Sequence, residues 1–164
     1  QESRGLGDVY KRQLLLDLEA DDPAALERAF VECRAAGQTR LVAEKLLDLD
    51  RVGEALMLAR RALQDVGDLL RFADSPSARG QVPAIMALVE ERLAQAFDPR
   101  LANWLATRYA ERGDLPRALE MRLRLLRHAP SQESYEATRT LALRLGRWEA
   151  LRGEAERLRA TSKV

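Results

Sequence analysis

Apolar residues return every three or four positions along nearly the whole chain, and the stripes they form are broken at glycines, prolines and capping side chains. The clearest stretch is 101–130, reading LANWLATRYAERGDLPRALEMRLRLLRHAP. Its first half carries Leu101, Leu105 and Tyr109 at helical spacing, with Ala102 and Ala106 beside them. Gly113 can take the left-handed conformation that ends a helix, and Asp114 can cap the next one. Leu115, Ala118, Leu119, Leu126 and Ala129 then form the stripe of a second helix, which Pro130 stops. The pattern predicts one helix–turn–helix unit.

The same alternation predicts the rest of the chain. A short helix is expected over 14–20, and Asp22-Pro23 starts another that runs to about Ala36 and ends at Gly37. Residues 39–49 form the next. Asp50 is expected to cap a helix striped by Val52, Ala55, Leu56, Ala59 and Leu63, and a shorter helix covers 65–73. The stretch 75–80, SPSARG, reads as a loop. Pro83 then opens a helix through Ala96 with Ile85, Val89 and Leu93 inward, and Asp98-Pro99 starts the unit described above. After Pro130, Ser131 opens a helix to about Leu145. Gly146 turns into a last helix carrying Trp148, Leu151, Ala155 and Leu158.

These elements repeat. Gly80, Gly113 and Gly146 follow one another at 33-residue spacing, each with a large apolar residue two positions on: Val82, Leu115 or Trp148. Five positions on stand Ile85, Ala118 and Leu151, and Asp50 with Val52 and Ala55 is a looser earlier copy. A period near 34 with two helices per repeat predicts an all-α fold, an α–α superhelix of about four antiparallel hairpins in which neighbours cover each other's apolar faces. Trp148 is expected to pack on the helix of Tyr135 and Leu141. Arg147, Arg152, Glu154, Glu156, Arg157 and Arg159 would then give the final hairpin its polar coat.

Composition supports the helical reading. Of 164 residues 46% are hydrophobic but only 5% aromatic, so the apolar content is mostly Leu and Ala, which favour helix. The length fits one domain over 14–164. Residues 1–13, QESRGLGDVYKRQ, stand apart: DVYKRQ resembles the translated transposase end sequence used in preparing sequencing libraries. That segment is read as an adapter scar or disordered leader on a metagenomic fragment of a longer protein, and Gly5 and Gly7 are not a phosphate loop. No apolar run approaches the ~18 residues of a membrane span and no signal peptide is visible, so a cytoplasmic location is the default expectation.

Net charge is +1, yet its distribution is uneven. Residues 14–99 hold 10 Lys/Arg against 16 Asp/Glu, whereas 100–164 hold 14 against 8. Such asymmetry marks either a face for an anionic partner or an acidic half beside a basic one.

The central unit is similar to a tetratricopeptide repeat. Leu105, Tyr109, Gly113-Asp114, Ala118 and Pro130 fall at that family's small, aromatic and terminal-proline positions, while Ala102 replaces its usual tryptophan and Arg122 an aromatic. Nearly everything after residue 13 also resembles the helical region downstream of the zinc module in bacterial SWIM zinc-finger proteins. The series LLDLDRVGEALMLARRAL, DLLRFAD, LATRYAERGDLPRALEMRLRLLR and SYEATRTLALRLGRWEALR carries the likeness, above all Tyr135, Gly146-Arg147-Trp148 and Leu151-Arg152. The zinc module itself, CxC followed by CxH, is absent, because the chain has only Cys33 and His128, so no metal binding is carried over. The resemblance implies a domain that binds nucleic acid or protein.

Candidate chemistry is sparse. Cys33 lies on the Leu26, Phe30 stripe and reads as a buried small hydrophobe. His128, in the last turn before Pro130, suits the carbonyl end of its helix. Ser131, Ser134 and Thr138 lack a His–acid pair, and Asp21-Asp22 and Glu90-Glu91 are adjacent carboxylates that diverge. No catalytic residue, metal site, cofactor or small-molecule substrate is therefore expected.

The basic side chains of the central hairpin, Arg108, Arg112, Arg117, Arg122 and Arg124, are the candidate partner-binding residues. Arg122 falls inside the apolar stripe. Either its stem packs while its head finds Glu136 or a carbonyl, or it faces the groove and holds an acidic group of a partner. The expected function is a non-catalytic protein–protein interaction scaffold receiving a peptide or helix on the solenoid surface. The alternative is a nucleic-acid-associated module using the basic C-terminal half.

Overall fold

Among the described residues, five helices begin where a short polar side chain takes up free N–H groups of the first turn. Asp22 accepts from Ala24 N and Ala25 N ahead of α1 (Pro23–Ala35). After α2 (Thr39–Asp48) and α3 (Val52–Ala62), Asp65 accepts from Asp68 N to start α4 (Val66–Ala73). A 3-10 helix (Pro76–Gln81) leads into α5 (Val82–Gln95), and Asp98 accepts from Arg100 N at the head of α6 (Pro99–Glu111), with Pro99 at its first position. Asp114 caps α7 (Leu115–His128), and Ser131 and Ser134 form a reciprocal capping box at α8 (Gln132–Arg144), ahead of α9 (Trp148–Thr161).

The computed structural model describes residues 22–35 and 37–162, and among them every regular element is helical, with no strand. The expected helix over 14–20, the leader 1–13 and the helix end at Ala36 lie outside the described residues. The chain divides into two compact units, Gln1–Ile85 and Met86–Val164.

In the first unit α2 packs against α1, α3, α4 and the 3-10 helix. Its core includes Leu26, Phe30, Cys33, Val42, Leu46, Ala55, Leu69 and Phe72, all at most 5% exposed. Cys33 is fully buried, in keeping with the stripe that placed it. In the second unit α6 pairs with α7, α7 with α8 and α9, and α8 with α9. Leu101, Leu105, Leu119, Leu126 and Ala142 are fully buried there, and Ala118 is 1% exposed. The fully buried Thr138 donates to the carbonyl of Ser134 at 2.7 Å, with the carbonyl of Arg122 on α7 at 3.3 Å.

One turn recurs at Gly37, Asp50, Gly113 and Gly146, all with positive φ between 59° and 79°. At each, the next residue's N–H closes back on the carbonyl five residues earlier: Gln38 on Cys33, Arg51 on Leu46, Asp114 on Tyr109, Arg147 on Ala142. This is the glycine-type helix ending in which the left-handed residue reverses the chain.

Three expectations change here. Gly80 lies within the 3-10 helix and has no positive φ, so it is not a copy of Gly113 and Gly146. Asp50 is the true counterpart: it ends α2 in the left-handed region, and Arg51, not Asp50, precedes α3. The predicted loop at 75–80 is also ordered. Ser75 is buried, its hydroxyl donating to the Phe72 carbonyl at 2.7 Å, and Ala78 is 1% exposed.

Candidate functional site

The five candidate arginines come from one hairpin, α6–α7, but Arg108, Arg117, Arg122 and Arg124 take separate partners. Arg108 donates to Glu111 at 2.7 Å and stands 5.0 Å over the Trp104 ring. Arg117 lies 3.6 Å from Asp114 and 5.8 Å over the Tyr109 ring. Arg124 stands 5.5 Å over Phe97. Arg112 is the exposed residue that closes α6. Each cation over a ring is held by the ring's negative face, within the usual ~6 Å. Aromatic residues therefore do accompany the basic side chains, but one ring per cation and within the fold.

His128 shares this arrangement. Its ring stacks on Phe97 with centroids 3.9 Å apart, and Nδ1 lies 2.9 Å from the Arg124 carbonyl. With the proton on Nδ1, that contact satisfies a carbonyl at the end of α7. The imidazole is thus engaged with its own helix, as its position in the last turn implied.

Arg122 is different. It is half-buried, and its head donates to Asn103 Oδ1 at 2.6 Å and to Thr107 Oγ1 at 3.5 Å. Thr107 in turn donates to the Asn103 carbonyl at 3.0 Å, so one turn of α6 presents two neutral acceptors side by side. Neither Glu136 nor a carbonyl takes the guanidinium. Glu136 accepts from Gln132 at 2.7 Å instead. Burial pushes the Arg122 guanidinium below its usual value, and the Glu133 charge partly opposes the shift. Arg122 and Glu133 together line a cleft of about 440 Å³ with Pro99, Asn103 and Leu125. A second cleft of about 470 Å³ shares Arg122, Glu133 and Ala137 and continues to Thr140 and Arg144. Neither cleft is lined by another of the five arginines.

The first unit holds a groove of about 260 Å³ that sequence reasoning missed. Phe30, Val42 and Leu46 contribute to it from the core, while Val31 on α1 and Met57 on α3 line it although 65% and 49% exposed. Arg51 ties the two helices together, reaching Glu27 on α1 at 2.7 Å and Glu54 on α3 at 2.6 Å. The paired hydrogen bonds that Arg51 donates to Glu54 hold the Glu54 carboxyl below its ordinary range. The sequence signal is faint. Val31 and Met57 are single apolar residues in otherwise charged rows, Glu27-Val31-Arg34 and Glu54-Met57-Arg61, outside the stripes that define the core.

No group of three or more His, Cys, Asp or Glu residues suited to a metal occurs among the described residues. No helix among them is long and apolar enough to cross a membrane. No family model matches the chain, and neither curated proteins nor solved structures gave a significant match.

Proposed function

We propose that this chain is a non-catalytic protein-interaction scaffold built from tetratricopeptide-like hairpins, and that the groove between α1 and α3 receives an amphipathic helix of a partner protein. One observation carries the reading: Val31 and Met57, two of the large apolar side chains left exposed, line the same groove above an apolar floor. Water-exposed apolar area gathered at one place favours a partner that buries it. The rim mixes Glu27 and Glu54 with Arg34 and Arg61, which suits a helix with charges of both signs and does not suit a polyanion. The recurring turn at Asp50, Gly113 and Gly146 supports the hairpin repeat, and with it the finer reading of a tetratricopeptide-like superhelix. The likeness to the region downstream of the zinc module in SWIM zinc-finger proteins stays a proposal resting on sequence alone.

The nucleic-acid reading keeps one supporting observation, the excess of Lys/Arg over Asp/Glu beyond residue 99. Against it, Arg117, Arg127, Arg139 and Arg159 are each ion-paired within the fold. Salt response separates the two. Neutralising several phosphates makes affinity fall steeply with salt, while an apolar groove is nearly indifferent. The scaffold reading expects weak retention of DNA and RNA that vanishes at moderate salt. Tight nucleic-acid binding that follows the steep salt law would overturn it.

A further inference from the structure

We propose that Arg122 anchors a second recognition site, in which the carboxylate of an acidic side chain on an extended peptide meets the guanidinium in the trough between α6, α7 and α8. The proposal shares with the scaffold reading only the premise that the ligand is a protein segment. The α1–α3 groove plays no part in it.

Arg122 differs in its acceptors from the arginines that are ion-paired among the described residues. Arg40, Arg51, Arg71, Arg100, Arg108, Arg117, Arg127, Arg139 and Arg159 each have a carboxylate within ion-pair distance. Arg122 is half-buried and bonds only an amide oxygen and a hydroxyl among the described residues. A desolvated cation held by neutral acceptors keeps most of its appetite for an anion. Two of its five N–H groups are occupied, which leaves enough for a bidentate carboxylate. Asn103 and Thr107, one helical turn apart on α6, hold the head so that little side-chain entropy is lost when an anion arrives.

The shape of the trough identifies the source of the carboxylate. Clefts of about 440 and 470 Å³ meet at Arg122, Glu133 and Ala137, so space continues on both sides of the cation. A chain terminus would need a closed end; a trough open in both directions suits a segment passing through. Leu125 and Ala137 supply apolar wall beside the charge. Glu133 acts on Arg122 through its charge without a hydrogen bond to it, and so weakens the pull on an incoming carboxylate.

The test uses the whole chain labelled for nuclear magnetic resonance and three short peptides. The first is acetyl-Leu-Ala-Glu-Ala-Leu-amide, the second its Gln counterpart, and the third the Gln sequence with a free C-terminal carboxylate. The Glu peptide is expected to shift the Arg122 side-chain Nε–H and the Asn103 side-chain amide saturably at millimolar concentration, while the two Gln peptides leave both in place. Arg122→Gln should abolish the response. Glu133→Gln should strengthen binding several-fold, because a repelling charge is removed. Ala137→Glu, which leaves the bonds of Arg122 to Asn103 and Thr107 intact, should weaken binding. Equal shifts from the Glu and Gln peptides, a response confined to the free terminus, weaker binding in Glu133→Gln, or no response to the Glu peptide would each overturn the site. None of these outcomes bears on the α1–α3 groove.

Discussion

Tyr135 stands edge-on to Trp148, with ring centroids 5.9 Å apart and planes at 78°. The indole is 7% exposed and belongs to a core with Leu119, Leu126, Ala142 and Ala155, flanked by Leu141 and Leu151. It joins α9 to α7 and α8, and Arg127 strengthens the join by gripping both oxygens of Glu154, at 2.6 and 3.1 Å.

Trp148→Ala should therefore cost about 3–5 kcal/mol of stability, as truncation of a buried aromatic does. Denaturant unfolding measures it. A midpoint that does not move would mean that the indole contributes contact area to a ligand and none to the core.

The turn residues offer a cleaner test, because their effect is conformational. Asp50 holds φ at 59° without a glycine's freedom, whereas Gly113 and Gly146 have no atom within 4 Å of where a Cβ would stand. Asp50→Gly should stabilise the chain by about 0.5–1 kcal/mol, and Gly113→Ala or Gly146→Ala should destabilise it by about 1 kcal/mol. Thermal denaturation of the three variants checks the signs. If Asp50→Gly lowers the midpoint, the Asp50 turn is not equivalent to the other two.

Tyr109 gives the fold an alkaline limit. Burial first, and then its hydrogen bond to Glu90, push the phenol up to about 12 from an ordinary 10.0. The folded chain thus holds the phenolic proton more tightly than the unfolded chain does. The corresponding stability is complete below pH 10 and is lost as pH rises through about 12. Tyr109→Phe should flatten the fall in stability across that window, leaving the smaller share of Tyr135, whose phenol is raised in the same sense. A pH series of unfolding midpoints with an unchanged slope would contradict the assignment.

Arg122 should be dispensable for folding. Arg122→Met keeps the stem's packing, removes a desolvated charge, and leaves Asn103 exposed to solvent. Stability should hold or rise by about 1 kcal/mol, measured by denaturant unfolding. A loss of more than about 2 kcal/mol would make the Asn103 and Thr107 bonds structural.

Where the sequence was legible, local chemistry decided the outcome. Asp98-Pro99, Gly113-Asp114 and Ser131 mark helix ends through their own backbone and side-chain preferences, and the structure puts the ends there. The all-helical class and the packing of Trp148 on Tyr135 followed from periodicity and repeat position. Gly80 misled because glycine permits a left-handed turn without requiring one. At 75–80 the polar run SPSARG concealed a 3-10 helix whose order comes from burial of Ser75 and Ala78. The site was less legible. The cation–aromatic pairs of Arg117 and Arg124, and the choice of Asn103 over Glu136 by Arg122, depend on how separate segments face each other, whereas Arg108 over Trp104 is an i, i+4 pair within α6. Val31 and Met57 reach one groove from different helices, and no spacing within either helix announces that.

The protein-scaffold claim meets its most direct test in the double variant Val31→Asp, Met57→Asp. Both side chains are exposed, so the fold should tolerate the change with an unfolding midpoint near that of the parent. The measurement is retention of proteins that co-purify with the parent chain, after nuclease treatment and across low to high salt; the absence of any would itself contradict the claim. Retention by the parent is expected under all these conditions, and its loss in the folded double variant. Retention that disappears with nuclease or salt in the parent, or that survives in the variant, would contradict the claim.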